Sequence, residues 1–184
     1  MPSTPPPPAI APAGGPSFRE LGLSETTLAA VDQAGYSTAT PVQAGLIPKA
    51  IRGGDVLGQA RTGTGKTASF VIPILERLSV ASGRGAGPRA LVLVPTRELA
   101  VQVRDEFEKL SVGSRHHCVA VYGGKPIKGQ IDKLARRPAV VVGTPGRVLD
   151  HMSRGTISLG DLEIVTLDEA DRMLDIGFRP DIEK

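Results

Sequence analysis

The sequence is poor in cysteine and aromatic residues and contains no long apolar run. Its 184 residues include one cysteine, no tryptophan, four phenylalanines and two tyrosines. The lone Cys118 excludes an internal disulfide and a cysteine-based zinc site, which fits a reducing compartment. No stretch approaches the ~20 apolar residues that a membrane span requires. The amino terminus lacks the basic and apolar regions of a secretory signal, so we expect a cytoplasmic protein.

The composition is that of one soluble globular domain, with 40% hydrophobic and 22% charged residues. The formal net charge of +3 is unevenly distributed. Residues 97–154 carry eleven Lys and Arg against six Asp and Glu, whereas residues 155–184 carry three against eight. A basic middle and an acidic end suit a polyanion surface beside a metal site, although solvated helix faces also produce this pattern.

The first 17 residues contain seven prolines and no charged side chain. Such a segment neither forms a helix nor pairs as a strand, because proline lacks the backbone N–H group. We therefore predict a disordered, partly polyproline tail and a folded domain that begins near Phe18.

Short, valine-rich apolar runs alternate with helix-like stretches after this tail. The predicted strands cover residues 55–59, 90–94, 118–122, 139–143 and 164–167. Continuous apolar runs of this length are typical of parallel strands that are buried on both faces. Between them, Leu99, Val103, Phe107 and Leu110 recur at helical spacing. The alternation predicts an α/β fold with a mostly parallel sheet flanked by helices.

A glycine-rich loop follows the first predicted strand. Its residues are Ala60, Arg61, Thr62, Gly63, Thr64, Gly65, Lys66 and Thr67, with alanine where a P-loop usually has its first glycine. The two glycines allow successive N–H groups to converge on phosphate oxygens, and a helix starting near Lys66 adds its positive dipole end. We predict that Lys66 contacts the β- and γ-phosphates of a nucleotide and that the Thr67 hydroxyl ligates Mg²⁺. The alternative is a glycine turn that caps an ordinary helix.

An acidic tetrapeptide, Asp168, Glu169, Ala170 and Asp171, follows the last predicted strand. At the carboxyl end of a central parallel strand, such acids lie beside the P-loop, where α/β sheets bind ligands. We predict that Asp168 holds Mg²⁺ through its water shell and that Glu169 deprotonates the water attacking the γ-phosphate. The alternative is a helix amino terminus whose acids only interact with the helix dipole.

From Phe18 to its last residue the chain resembles the DEAD-box ATP-dependent RNA helicases, because residues 168–178 read DEADRMLDIGF. The resemblance implies a RecA-like P-loop domain that binds ATP, Mg²⁺ and RNA. Members of the family carry a Ser-Ala-Thr motif after this point and then a second RecA-like domain with the arginine fingers. We therefore expect an incomplete first domain, which alone neither unwinds a duplex nor shows RNA-stimulated ATPase.

Residues 35–43 resemble the Q motif of the family, with Phe18 seventeen residues upstream of Gly35. The resemblance implies that Phe18 stacks on adenine and that the Gln43 amide pairs with its edge. Ala39 stands where the family usually has proline. Residues 40–43 also read as a capping box, with Thr40 at the N-cap, and Phe18 is alternatively a core anchor.

Three further motifs follow predicted strands, so we expect all of them at one edge of the sheet. Their residues are Pro95, Thr96 and Arg97; Gly123 and Gly124; and Thr144, Pro145, Gly146 and Arg147. Helix amino termini with two arginines provide phosphate-binding positions, and the glycine pair allows close approach of a sugar–phosphate chain. These motifs match those through which the family binds one RNA strand, and they predict sequence-independent binding. Taken singly, each is an ordinary strand–helix turn.

Other residues carry weaker indications. His116, His117 and His151 lack metal-ligand spacing, so we expect surface or loop positions for them. Arg61 stands where the family commonly has glutamine. Two alternative functions remain at this point: a nucleotide or RNA binding module without catalysis, and a P-loop NTPase that acts on proteins or small molecules.

Overall fold

The computed structural model describes residues 15–60, 63–80 and 87–183. Within these ranges a short 3-10 helix, Phe18–Leu21, precedes four strands and eight α-helices. The strands are β1 (Ala90–Leu93), β2 (Cys118–Val121), β3 (Val140–Gly143) and β4 (Ile164–Leu167). The helices are α1 (Glu25–Gln33), α2 (Pro41–Ile51), α3 (Lys66–Val80), α4 (Arg97–Leu110), α5 (Ile127–Leu134), α6 (Pro145–Ser153), α7 (Ala170–Asp175) and α8 (Arg179–Ile182).

The four strands form one parallel sheet in the order β2-β3-β1-β4. Leu93 is in register with both Gly143 and Leu167, and Val121 is in register with Gly143. All four strands therefore end at the same level. The predicted α/β class with a parallel sheet is confirmed, and the loops that follow the strands share one edge of it.

The residues of the two central strands alternate between two apolar cores. Val92 and Val142 face the core that contains Ile47, Ile72 and Phe107, from helices α2, α3 and α4. Leu91, Leu93 and Val141 belong to the opposite core, with Leu134 of α5, Val148 of α6 and Met173 of α7. Burial of apolar side chains on both faces stabilises the sheet, by about 25 cal/mol for each Å² of apolar surface that is removed from water.

The predicted strand at residues 55–59 is wrong. These residues are exposed and have no strand assignment, and Leu57 is 99% exposed. Among the described residues no segment pairs with them, and a strand forms only where neighbouring backbone groups complete its hydrogen bonds. The prediction that the acidic motif follows a central strand is also wrong, because β4 is at the edge of the described sheet and exposes Val165 and Leu167.

Of the predicted tail, residues 1–14 lie outside the described residues. Pro16 and Ser17 contact the folded part instead, since the carbonyl of Pro16 accepts a bond of 2.9 Å from the Ala39 N–H group and Ser17 forms an antiparallel bridge with Thr38. Ser17 also caps the 3-10 helix together with Glu20. None of the described helices is long and apolar enough to cross a bilayer.

Candidate functional site

The glycine loop enters helix α3, which begins at Lys66 as the sequence predicts. Gly63 and Gly65 have φ values of +81° and +78°, which favour glycine over every other residue. A Cβ at Gly65 would also overlap the Gln43 amide nitrogen. Arg61 and Thr62 lie outside the described residues. The loop therefore presents its backbone at the amino terminus of α3, and this geometry suits an anion.

Lys66 and Asp168 form an ion pair in which Nζ lies 2.9 Å from Oδ1. The Asp168 side chain is 4% exposed and that of Lys66 25%. Asp168 is further held by its own N–H group, which donates to the Leu93 carbonyl at 3.0 Å. The fold thus brings together the glycine loop and the acidic motif, which are about a hundred residues apart in the sequence.

Glu169 adopts a left-handed backbone conformation, with φ +54° and ψ 47°, at the N-cap of α7. For a residue with a side chain this conformation is sparsely populated and costs of order 1–3 kcal/mol. The Glu169 carboxylate accepts a hydrogen bond of 3.2 Å from Arg172 Nη1. Ala170 then begins α7, and Asp171 lies exposed in the first turn. The strained residue is the predicted general base.

The Thr67 hydroxyl and the Asp168 carboxylate are hard oxygen donors, which fit the preference of Mg²⁺. Among the residues that the structure describes, no group of three or more His, Cys, Asp and Glu is placed to hold a metal. Mg²⁺ commonly takes one or two protein ligands and completes its shell with phosphate oxygens and water. The donor set therefore fits an ion that arrives with a nucleotide.

Gln43 connects helix α2 to the glycine loop. Its Oε1 accepts from the Thr40 N–H at 2.9 Å, and its Nε2 donates to the Gly65 carbonyl at 3.1 Å. Thr40 is the N-cap, Pro41 is at the first helical position, and the capping box is formed as predicted. Gln43 is 1% exposed, so its contact with an adenine edge stays a prediction.

Phe18 is 2% exposed and packs edge to face on Tyr36, with 6.0 Å between the ring centroids. The Tyr36 hydroxyl donates to the Glu106 carboxylate, and Lys109 Nζ lies 4.6 Å from the centre of the Tyr36 ring. Burial and the Glu106 carboxylate together raise the pKa of Tyr36 above its ordinary value. This geometry agrees with a core anchor at Phe18, and stacking on adenine stays a prediction.

A cavity of about 460 Å³ lies between α2 and the start of the glycine loop. Pro41, Leu46 and Lys49 line it from the helix, and Ala60 and Thr64 line it from the loop. Apolar walls with few polar groups are typical of small-molecule sites. The space beside the loop is thus large enough for a flat ring system.

Three loops follow β1, β2 and β3, and we call residues 95–97, 123–125 and 144–147 the rim. Thr96 caps α4 by accepting from the Leu99 N–H at 3.2 Å, whereas Thr144 is an N-cap without a side-chain bond. Pro145 occupies the first position of α6 as predicted. Gly146 is exposed one residue later, and Pro95 is buried.

The rim loops contact one another. Gly124 has a φ of +76°, and a Cβ placed there would lie 3.8 Å from Arg97 Nη1. Arg147 Nη1 donates to the Lys125 carbonyl at 3.2 Å and its Nε lies 3.7 Å from Asp150. A hydrogen bond from Arg154 to the Asp150 carboxylate, together with the positive charge of Arg147, holds the pKa of Asp150 below its usual range. Two guanidinium groups, two helix amino termini and an open glycine pair therefore share one surface.

His151 is fully buried, so its predicted surface or loop position is wrong. It lies on α6 with Val148 and Pro145 on the buried side, and this spacing of three residues is the signal that sequence reasoning missed. Gln130 of α5 is buried beside it, and its side chain binds the backbone of Tyr122. No sequence motif indicated this pair.

Comparisons with known proteins agree with this arrangement. The family model described as DEAD/DEAH box helicase matches residues 40–184. The DEAD-box ATP-dependent RNA helicase CshA of Geobacillus kaustophilus is 48% identical over 167 residues, covering 91% of this chain and 35% of the relative. The ATP-dependent RNA helicase CshA of Listeria monocytogenes is 47% identical and covers 90% of this chain and 31% of the relative.

Among solved structures, the crystal structure of a DEAD box protein from the hyperthermophile Methanococcus jannaschii matches with a TM-score of 0.83 and 44% identity. The match covers 91% of this chain and 45% of that protein. The chain thus spans about a third of the length of the curated relatives that it matches.

Proposed function

This chain belongs to the DEAD/DEAH box helicase family, and we propose that it forms the ATP-binding and RNA-binding part of an ATP-dependent RNA helicase. The observation that carries the proposal is the 2.9 Å contact between Lys66 and Asp168. It joins the phosphate loop to the acidic motif, the two parts that phosphoryl transfer requires. The rim loops lie at the same edge of the sheet.

We propose that the phosphates of ATP bind at the amino terminus of α3. The N–H groups of the loop from Gly63 to Thr67 contact the phosphate oxygens, and Lys66 leaves Asp168 to contact the β- and γ-phosphates. Adenine selection falls to Gln43, as the resemblance of residues 35–43 to the Q motif implies, and the contact of its amide with Gly65 puts the side chain beside the loop. The Thr67 hydroxyl, and Asp168 through the water shell, would hold Mg²⁺, which would supply positive charge that offsets the charge of the phosphates.

Glu169 orients the attacking water and removes its proton. The left-handed backbone at this position turns the residue out of the strand direction before α7 begins. Its carboxylate is half-buried and accepts a hydrogen bond from Arg172. A carboxylate held within reach of water is suited to general-base catalysis, which contributes typically 10²–10⁴-fold to a rate.

RNA binds along the rim through its phosphates. Arg97 and Arg147 supply charge, and the exposed Gly123 and Gly124 leave the backbone open to a close approach. Because none of these groups is suited to reading base edges, we propose sequence-independent binding. RNA rather than DNA is proposed from the family alone.

The complete activity requires more than this chain in our proposal. Arginine fingers raise the rate of phosphoryl transfer by about 10³–10⁵ in P-loop NTPases. We propose that a second RecA-like domain of a longer protein supplies them, together with the other half of the RNA cleft. Duplex opening then follows from closure of the two domains around ATP and RNA. We place this activity in the cytoplasm, where ATP and RNA are abundant.

A salt titration of RNA binding tests the rim. Fluorescence anisotropy with three unrelated single-stranded RNAs gives an affinity at each salt concentration. The slope of log K against log[salt] is negative, and each lost phosphate contact makes it about 0.7 less steep for a single strand. We expect this reduction in steepness for Arg97→Ala and for Arg147→Ala, with equal effects on all three sequences.

Arg154→Ala is the matched control, because Arg154 is an exposed arginine at the other end of α6, paired with Asp150. Its slope should equal that of the unchanged chain. A strong preference for one RNA sequence that these rim variants abolish would contradict backbone binding. Loss of affinity in all three variants alike would contradict the location of the site.

A further inference from the structure

A buried chain of hydrogen bonds runs from helix α6 to the end of strand β2. His151 Nδ1 lies 2.8 Å from Thr156 Oγ1, and His151 Nε2 lies 3.2 Å from Gln130 Oε1. Gln130 in turn contacts both backbone groups of Tyr122, since Oε1 accepts from its N–H at 3.3 Å and Nε2 donates to its carbonyl at 3.0 Å. One glutamine side chain thus holds Tyr122 as a neighbouring strand would.

These contacts determine the protonation of the imidazole. The two bonds to Tyr122 fix the Gln130 amide with its oxygen toward His151, so that oxygen accepts and His151 Nε2 carries the proton. The Thr156 hydroxyl also donates to the His151 carbonyl at 2.9 Å, so its single proton is shared between that carbonyl and Nδ1 of the neutral ring. Burial, together with the charge of Arg147, lowers the pKa of His151 and favours this neutral form.

The series of hydrogen bonds ends at Tyr122, one residue before the glycine pair of the rim. Tyr122 precedes Gly123, and Arg147 lies one helical turn before His151 on α6. Arg147 also donates to the Lys125 carbonyl at 3.2 Å. The loop after β2 is therefore tied to α6 twice, through a buried connection on one side and an exposed one on the other.

We propose that His151 and Gln130 are positioning residues for RNA binding. They fix the spacing between the backbone of Gly123 and Gly124 and the amino terminus of α6, so that both contact neighbouring phosphates of one strand. The inference rests on the proposed RNA-binding role of the rim. Neither residue touches RNA itself, because both side chains are buried beneath the loop.

The polar character of this hydrogen-bond series supports the positioning role over simple packing. Among the described residues no buried side-chain nitrogen or oxygen lacks a hydrogen-bond partner, so every polar side-chain atom of the series has a partner. Apolar side chains of the same shape would fill the space, but they would leave the Tyr122 N–H and carbonyl without the partners that set their position.

Two conservative substitutions of His151 separate positioning from packing. In His151→Gln the terminal amide reaches the place of Nε2 and donates to Gln130. In His151→Asn the amide replaces Nδ1 only, so Gln130 Oε1 loses its donor from α6 and keeps only the Tyr122 N–H. Anisotropy with a single-stranded RNA at low salt measures RNA affinity, a fluorescent ADP analogue measures nucleotide affinity, and thermal unfolding reports the fold.

We expect His151→Asn to weaken RNA binding about 5- to 20-fold and His151→Gln to restore it to within about twofold, with ADP affinity equal in both. Amide exchange at Gly123 should be faster in His151→Asn than in His151→Gln. Gln130→Met, which keeps the side-chain volume and removes both bonds to Tyr122, should weaken RNA binding to the same extent.

Equal RNA affinity in the unchanged chain, His151→Asn and Gln130→Met overturns the inference and leaves the proposed function standing. Equal losses in His151→Asn and His151→Gln also overturn it, because packing alone then accounts for the effect. Failure of the unchanged chain to bind RNA overturns the proposed function, and the inference with it.

Discussion

Replacing Asp168 with asparagine should change ATP affinity in opposite directions with and without Mg²⁺. Lys66 is paired with Asp168 at 2.9 Å, so in our proposal phosphates must break this pair before Lys66 contacts them. Asp168→Asn removes that competition but also removes the carboxylate that is proposed to hold the water shell of Mg²⁺. Without Mg²⁺ the variant should therefore bind ATP more tightly than the unchanged chain, and with Mg²⁺ more weakly.

The exposure of the two side chains sets the size of the effect. Exposed ion pairs contribute about 0–1 kcal/mol, whereas breaking a buried pair costs about 3–5 kcal/mol. The Asp168 side chain is buried at 4% exposure, but Lys66 at 25% retains water. We expect about 1–2 kcal/mol, which corresponds to about 5- to 30-fold tighter binding without Mg²⁺.

Isothermal titration calorimetry with ATP, in EDTA and in excess Mg²⁺, measures both affinities. Asp171→Asn is the control, because it removes the same charge from an exposed position three residues away. Its affinity in EDTA should rise much less than that of Asp168→Asn. Equal increases in the two variants would refute the reasoning, since a general reduction of negative charge would then explain them. An unchanged affinity of Asp168→Asn in EDTA would refute it as well.

Three further predictions address base selection, catalysis and pH. Gln43→Ala should narrow the preference for ADP over GDP in nucleotide titrations, because a hydrogen-bonded site rejects the wrong base by leaving its polar groups unpaired. Equal affinities for ADP and GDP in the unchanged chain would contradict the assignment of Gln43 to adenine selection. In a longer protein that carries this domain with a second RecA-like domain, Glu169→Gln should keep ATP affinity and reduce steady-state turnover about 10²-fold or more, since an amide is no base; turnover at the parental rate would place the base elsewhere. Burial lowers the folded pKa of His151 below its unfolded value of about 6.5, so the unfolded chain binds more protons between the two values. The free energy of unfolding should therefore fall as pH drops through 6.5, by at most about 1.4 kcal/mol per pH unit from this group. Denaturant unfolding at several pH values measures this decrease, which should be smaller in His151→Gln. That variant leaves the charged groups around position 151, namely Arg147, Asp150 and Arg154, unchanged.

Local signals in the sequence predicted the elements whose stability is local. The capping box fixes the start of α2 through contacts between Thr40 and Gln43, three residues apart. Helix α3 also begins at the predicted Lys66. In these cases neighbouring residues carry the hydrogen bonds or the conformational preference, so the pattern suffices.

Features that depend on distant partners could not be predicted in this way. Residues 55–59 have the composition of a strand, but a strand also needs a neighbour, and none of the described segments provides one. The motifs predicted only that the acidic residues lie beside the glycine loop, and the direct Lys66–Asp168 contact was not predicted. The bond from Gln43 to Gly65 likewise depends on how α2 packs beside the loop. His151 has the residue type of a surface position, yet the pairing with Gln130 buries it.

Hydrogen–deuterium exchange with ATP·Mg²⁺ and RNA added separately tests the two-site account most directly. ATP·Mg²⁺ should slow exchange in the segment from Gly63 to Thr67 and around Gln43. Single-stranded RNA should slow exchange at the rim, residues 95–97, 123–125 and 144–147. Protection of the same segment by both ligands, or of neither site, would contradict the claim that one edge of this sheet holds a nucleotide and an RNA strand side by side.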